Sequence, residues 1–155
     1  LAVPALQRAG YDPSFGLDRH FYDRAKAASR PVHGLETAAA QLAALDGLPM
    51  PVQIDMLKAV LGDVDTQVGA VAEIVRAWRT GDVRALERLL LDEFRESPDV
   101  YRRMLVERNR AWVPQIATCA TEPMPCLVVV GGAHLVGGDS VVAMLRDSGF
   151  TVEQQ

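Results

Sequence analysis

Cysteine is scarce in this chain, with two among 155 residues, Cys119 and Cys126. They form no CxxC pattern, so a cysteine-based metal motif is excluded. Two buried free thiols are the plain expectation, and a disulfide between them is the alternative. No apolar run approaches the ~18 residues of a membrane-crossing helix, and no signal peptide is visible. An excess of basic charge is missing as well. Lys and Arg number 16 against 20 Asp and Glu, a net charge of −4. The basic residues are scattered rather than clustered, which removes the electrostatic case for a nucleic-acid partner. There is no GxSxG, so serine-nucleophile chemistry has no anchor. Neither GxGxxG nor GxxxxGK[ST] occurs, and the glycines around His134 only superficially resemble a phosphate loop. Internal repeats and low-complexity tracts are also lacking.

What remains is an ordinary globular composition, 49% apolar and 23% charged, sufficient for one domain with a single sizeable core. The chain opens on Leu-Ala-Val-Pro-Ala-Leu-Gln-Arg, which reads like the tail of a helix already under way. The expectation is therefore the C-terminal portion of a longer domain, residues 1–155, with any targeting segment in the part that precedes it. Helices are expected over 1–9 and 17–29, and from the N-cap Thr37 to about 46. A long helical stretch over 52–80 should break near Gly62. Further helices follow over 83–96 behind Asp82, from Ser97-Pro98-Asp99 to about 120, and over 139–148. Strands are expected at 31–36, 126–130 and 150–153. This is an α/β chain, mostly helical by content, with a small sheet and flanking helices. So few strands cannot surround one as apolar as 126–130. The expected partner is a missing N-terminal half, or a second copy, that completes the sheet.

The sequence Cys126-Leu-Val-Val-Val-Gly-Gly-Ala-His134 carries most of the functional information. An apolar run leads to Gly131 and Gly132, and then to an imidazole at the carboxyl end of the expected strand, where α/β proteins gather their ligands. His134 is either a metal ligand or acid/base group, or a histidine that satisfies a turn. Glu36 closes the 31–36 segment. It would share a cleft with His134 if the two strands ran parallel, or would simply favour the dipole of the following helix. Arg108 and Asn109 sit mid-helix about 100° apart, so both need not face solvent. The alternatives are a solvated face and an arginine clamp for a carboxylate. Leu105, Trp112 and Ile116 mark the packing face of that helix. His20 reads as a surface or capping residue, and His33 lies in the short strand.

Four separated motifs occur in one order: Gly-Leu-Asp-Arg-His-Phe at 16–21, Pro-Val-His-Gly-Leu-Glu-Thr with Gln-Leu at 31–42, Val-Glu-Arg-Asn-Arg-Ala-Trp at 106–112, and Val-Val-Val-Gly-Gly-Ala-His-Leu-Val-Gly at 128–137. Together they resemble the TraB/GumN family, which is related to the Tiki proteases, over essentially the whole chain. The resemblance implies an EreA/ChaN-like architecture about twice this length, usually exported to the bacterial periplasm or envelope. It also implies two Gly-x-x-His motifs whose histidines, with acids, support divalent-metal-dependent proteolysis.

Carried over, His134 matches the second Gly-x-x-His, Glu36 the Gly-Leu-Glu-Thr glutamate, and Arg108-Asn109 the Arg-Asn pair. No other glycine stands three residues before a histidine, so the first such motif has no counterpart here. The implied function is a metal-dependent hydrolase acting on peptides. In it, His134 and Glu36 serve as ligands or catalytic groups for zinc, manganese or cobalt. Arg108, Asn109, Gly131 and Gly132 hold the substrate or support the ligands. The rival is a non-catalytic protein that binds or sequesters a peptide or polysaccharide precursor.

Overall fold

Side-chain caps open three of the helices. Thr37 accepts a hydrogen bond from the Ala40 amide at 3.1 Å and opens a helix. Asp82 does the same for Ala85 at 2.9 Å, and Ser140 for Ala143 at 3.1 Å. Gly81 and Gly149 lie just past helix ends at φ +67° and +91°, a backbone conformation that costs glycine little. In the computed structural model, which describes residues 3–61 and 64–155, these signals delimit α1 (Val3–Arg8), α2 (Leu17–Ala27), α3 (Ala38–Asp46), α4 (Met50–Val60), α5 (Val64–Thr80), α6 (Val83–Arg95), α7 (Pro98–Tyr101), α8 (Glu107–Thr121) and α9 (Val141–Asp147). The long stretch does divide into α4 and α5; Gly62 and Asp63 at its break lie outside the described residues, as do Leu1 and Ala2.

The helix expected from Ser97 to about 120 is not uniform. Ser97 makes no side-chain cap, and the turn Arg102–Val106 between α7 and α8 is π-helical. One wider turn rephases the helix, and the packing face divides at that point. Leu105 joins Ala77, Leu86, Leu91 and Val136 in one buried cluster, where α5, α6 and the segment after His134 meet. Trp112 and Ile116 join Val141 in a second cluster, against which Leu35, Val128, Val130 and Leu145 pack. α2, α3 and α4 contribute no buried residue.

The expected small sheet is not found: among the described residues there are no paired strands, and the chain is helical rather than α/β. The cause is visible at 126–130. Val128 and Val130 pack on the second cluster, whereas Leu127 and Val129 point outward at 64% and 38% exposure. The period-2 alternation of a strand is present, but among the described residues no other strand pairs with it. Residues 123–130 make no backbone hydrogen bond to another described residue. The segments 31–36 and 150–153 are likewise unpaired. The expectation of free thiols is also overturned, because Cys119 and Cys126 form a disulfide with Cα atoms 6.1 Å apart. It ties the end of α8 to the start of the 126–130 segment.

Candidate functional site

α8 organises the site. Its residues Arg108, Asn109 and Trp112 project toward the loop between α2 and α3 on one side and toward the turn Gly132–His134 on the other. Arg108 grips Glu36 with both arms of its guanidinium, Nε to Oε2 at 3.1 Å and Nη2 to Oε1 at 2.6 Å. Nη1 donates to the Met104 carbonyl at 3.1 Å. Two turns further along α8, Gln115 donates to the Leu35 carbonyl at 3.0 Å. The otherwise exposed 31–36 segment is thus held by a planar, charge-assisted pair, with both side chains about four-fifths covered. The solvated reading of Arg108 gives way to an ion pair that spans 72 positions of chain.

Asn109 is 1% exposed and His134 6%. The Asn109 Nδ2 donates to the Asp139 carbonyl at 2.7 Å. Its Oδ1 therefore faces His134 Nδ1, 2.6 Å away. An amide oxygen only accepts, so Nδ1 carries the proton and Nε2 holds the lone pair. No hydrogen bond engages Nε2 among the described residues. A fixed Nδ1–H with a free Nε2 is how proteins orient a histidine for ligation.

The imidazole stacks at a tilt on Trp112, with ring centroids 4.5 Å apart. Arg108 lies over the same indole, its Cζ 4.8 Å from the ring centroid, a cation–π contact. Burial, reinforced by the positive charge of Arg108 and partly offset by Glu36, pushes the His134 pKa down from 6.5 to about 4. Near neutral pH the ring is uncharged. The Trp112 Nε1–H is a buried donor without an acceptor among the described residues.

Four of the expected residues, linked through Trp112, therefore form one connected group: Glu36 to Arg108, Arg108 to Trp112, Trp112 to His134, and His134 to Asn109. Gly131 and Gly132 form the approach to His134. A side chain at Gly131 would meet His134 Cδ2 at 3.7 Å. His20 and His33 are exposed, and no contact of either with this group is seen among the described residues.

Two members escaped sequence reasoning. Tyr101 donates its hydroxyl to Asp139 Oδ2 at 3.1 Å, bracing the loop whose carbonyl holds Asn109. Burial, then the hydrogen bond to Asp139, raises the phenol pKa. Asp139 could be read from sequence only as a helix start. Tyr101 precedes Leu105 by four, a spacing that identifies a packing face and nothing more.

Hydrolytic metal sites normally use three protein ligands. The donors here are one imidazole nitrogen and a carboxylate whose two oxygens already face Arg108. Among the described residues no group of three or more His, Cys, Asp or Glu side chains is placed to hold a metal ion. The residues present are not a complete set for the metal that the resemblance implies.

The family model described as TraB/PrgY/gumN family matches residues 1–154. The chain belongs to the TraB/PrgY/gumN family. Two proteins named "Uncharacterized protein YbaP", from Escherichia coli (strain K12) and Shigella flexneri, are each 28% identical to it over 146 residues. These alignments cover 94% of this chain and 53% of each relative. The chain spans about half the length of these curated relatives. No solved structure matches it. In this TraB/PrgY/gumN chain, no helix among the described residues is long and apolar enough to cross a membrane.

Proposed function

We infer that this TraB/PrgY/gumN chain carries half of the site of a metal-dependent hydrolase that acts on peptides, with one of its two histidines. The observation that carries the reading is the imidazole of His134, buried and neutral, with Nδ1–H fixed by Asn109 and Nε2 unengaged. A base with a pKa near 4 takes up a proton reluctantly at neutral pH. The same low value keeps the lone pair available for a cation, because ligands must be deprotonated to bind. His134 is therefore better suited to ligate zinc, manganese or cobalt than to act as a general base. The remaining ligands would come from outside this chain.

Glu36 and Arg108 have a consequent role. Held as a pair, they fix the 31–36 segment beside the site. A substrate carboxylate that replaced Glu36 on Arg108 would free Glu36 as a ligand or base. Gly131 is exposed and carries no side chain, so a peptide main chain has room to approach there. The disulfide supports an exported protein, since such bonds persist in oxidising compartments such as the periplasm. The unpaired edge at 126–130 is where a second copy, or the other half of a longer protein, would pair.

The test is cleavage of a peptide library by the intact protein with added zinc, manganese or cobalt. Metal-dependent cleavage should disappear in His134→Ala while circular dichroism and thermal unfolding are retained. Cleavage equal to the parent's would sink the catalytic reading. The engagement of both Glu36 oxygens by Arg108 favours a second reading, a protein that binds or sequesters a peptide or polysaccharide precursor without cleaving it. In that case, ligand affinity would survive a chelator.

A further inference from the structure

α4 turns an apolar stripe toward solvent. Met50, Ile54, Leu57 and the C-cap Leu61, still in helical backbone, are 65%, 45%, 58% and 74% exposed. Their positions along the helix place all four within about 60° of arc at 3.6 residues per turn. Away from this stripe the helix faces the protein, and Val52, Gln53 and Met56 are half-buried. Gln53 fixes that orientation: its Nε2 donates to the carbonyls of Leu48 at 2.8 Å and Asp46 at 3.2 Å.

The stripe has the alternating spacing of a coiled-coil seam, with Ile54 and Leu61 in one kind of seam position and Met50 and Leu57 in the other. It is also self-complementary. Laid antiparallel on a second copy, about a dyad close to Asp55 and Met56, it closes in matched layers. Ile54 meets the second copy's Leu57, and Met50 meets its Leu61, each contact made twice by symmetry. The charges agree with that direction. Lys58 and Asp55 share one flank of the helix, 3.0 Å apart and both well exposed. In the antiparallel arrangement like flanks meet, so each Lys58 comes within about one turn of the second copy's Asp55. A parallel arrangement would set Lys58 against the uncharged flank of Gln53.

We propose that this chain forms a two-fold dimer through α4, its stripe Met50, Ile54, Leu57 and Leu61 packed antiparallel on the same stripe of a second copy. One helix pair makes a small interface, below about 1,200 Å² in total, so the dimer is weak, with a dissociation constant in the micromolar range. The proposal does not depend on the chemistry assigned to His134.

The experiment is sedimentation velocity of the intact protein over a concentration series that spans the micromolar range. The parent should pass from monomer to dimer. Ile54→Asp and Leu57→Asp each place a carboxylate in the central layer and should weaken the dimer by at least about tenfold. Both positions are exposed in the single chain, so the unfolding transitions should match the parent's. Val129→Pro should leave this dimer intact, which separates it from pairing at the 126–130 edge.

Mixing reads the arrangement. Asp55→Lys and Lys58→Asp each set like charges across the interface and should dimerise less than the parent. In an equal mixture, one copy presents two cations and the other two anions on the shared flank, so the mixture should dimerise more than either variant alone. The change within each helix is the same mixed or unmixed, so only contact between copies produces that gain. A monomer at every concentration would overturn the proposal, as when another part of a longer protein covers the stripe. So would a dimer that persists in both Ile54→Asp and Leu57→Asp, or a mixture no stronger than its components.

Discussion

Acid should weaken this fold through His134. In the unfolded chain the imidazole has an ordinary value near 6.5, and in the folded protein about 4. Between those values the unfolded state binds more protons, so stability rises with pH. The contribution of His134 is fully present above pH 6.5, is lost as pH falls from 6.5 toward 4, and changes no further below that. The whole window amounts to about 3 kcal/mol at 1.36 kcal/mol per pKa unit. The part lost between pH 7 and 5 is about 2 kcal/mol.

The assay is urea unfolding of the parent and His134→Gln at pH 7, 6 and 5. Carboxylates titrate in both proteins, so the quantity that matters is the difference between the two slopes. The parent should lose about 2 kcal/mol more than the variant between pH 7 and 5. Parallel pH dependence would refute the reasoning. Direct titration of the His134 ring by NMR gives the same answer without a variant. Arg108→Met, which removes the positive neighbour, should raise the measured value, and Glu36→Gln should lower it further, because the two charges act in opposite directions.

Reduction of the Cys119–Cys126 bond frees a short loop with a sequence separation of seven. Chain-entropy arguments put the cost at about 2.5 kcal/mol. A dithiothreitol-dependent fall in the urea midpoint should report it, and an unchanged midpoint would show that the bond does not constrain the unfolded chain. At the 126–130 edge, Val129→Pro blocks pairing through an exposed position. If a second copy pairs there, light scattering should find the parent dimeric and this variant monomeric. Monomeric behaviour of both would remove self-pairing.

Much of the site was legible one residue at a time. Glu36, Arg108, Asn109 and His134 each stood out by type and position, and each had a plain structural reading beside the functional one. Their connection was not legible. Which carboxylate Arg108 meets depends on how the α2–α3 loop folds over α8. The tautomer of His134 depends on the Asp139 carbonyl, which turns the Asn109 amide. The sheet was the largest error. An alternating apolar run records that one face is buried, and helix packing satisfies that requirement as well as strand pairing does.

Local chemistry set several helix ends from sequence alone. Thr37, Asp82 and Ser140 hydrogen-bond the amides of their own helices, and Gly81 and Gly149 take up a backbone turn that other residues resist. These interactions span a few residues and need no distant partner. Tertiary structure alone decided what lies across long separations: the Arg108–Glu36 grip, the neutral ring of His134, the disulfide, and the unpaired edge at 126–130. Each depends on which surfaces meet when two core clusters close, and on the low dielectric that their closure creates around one imidazole.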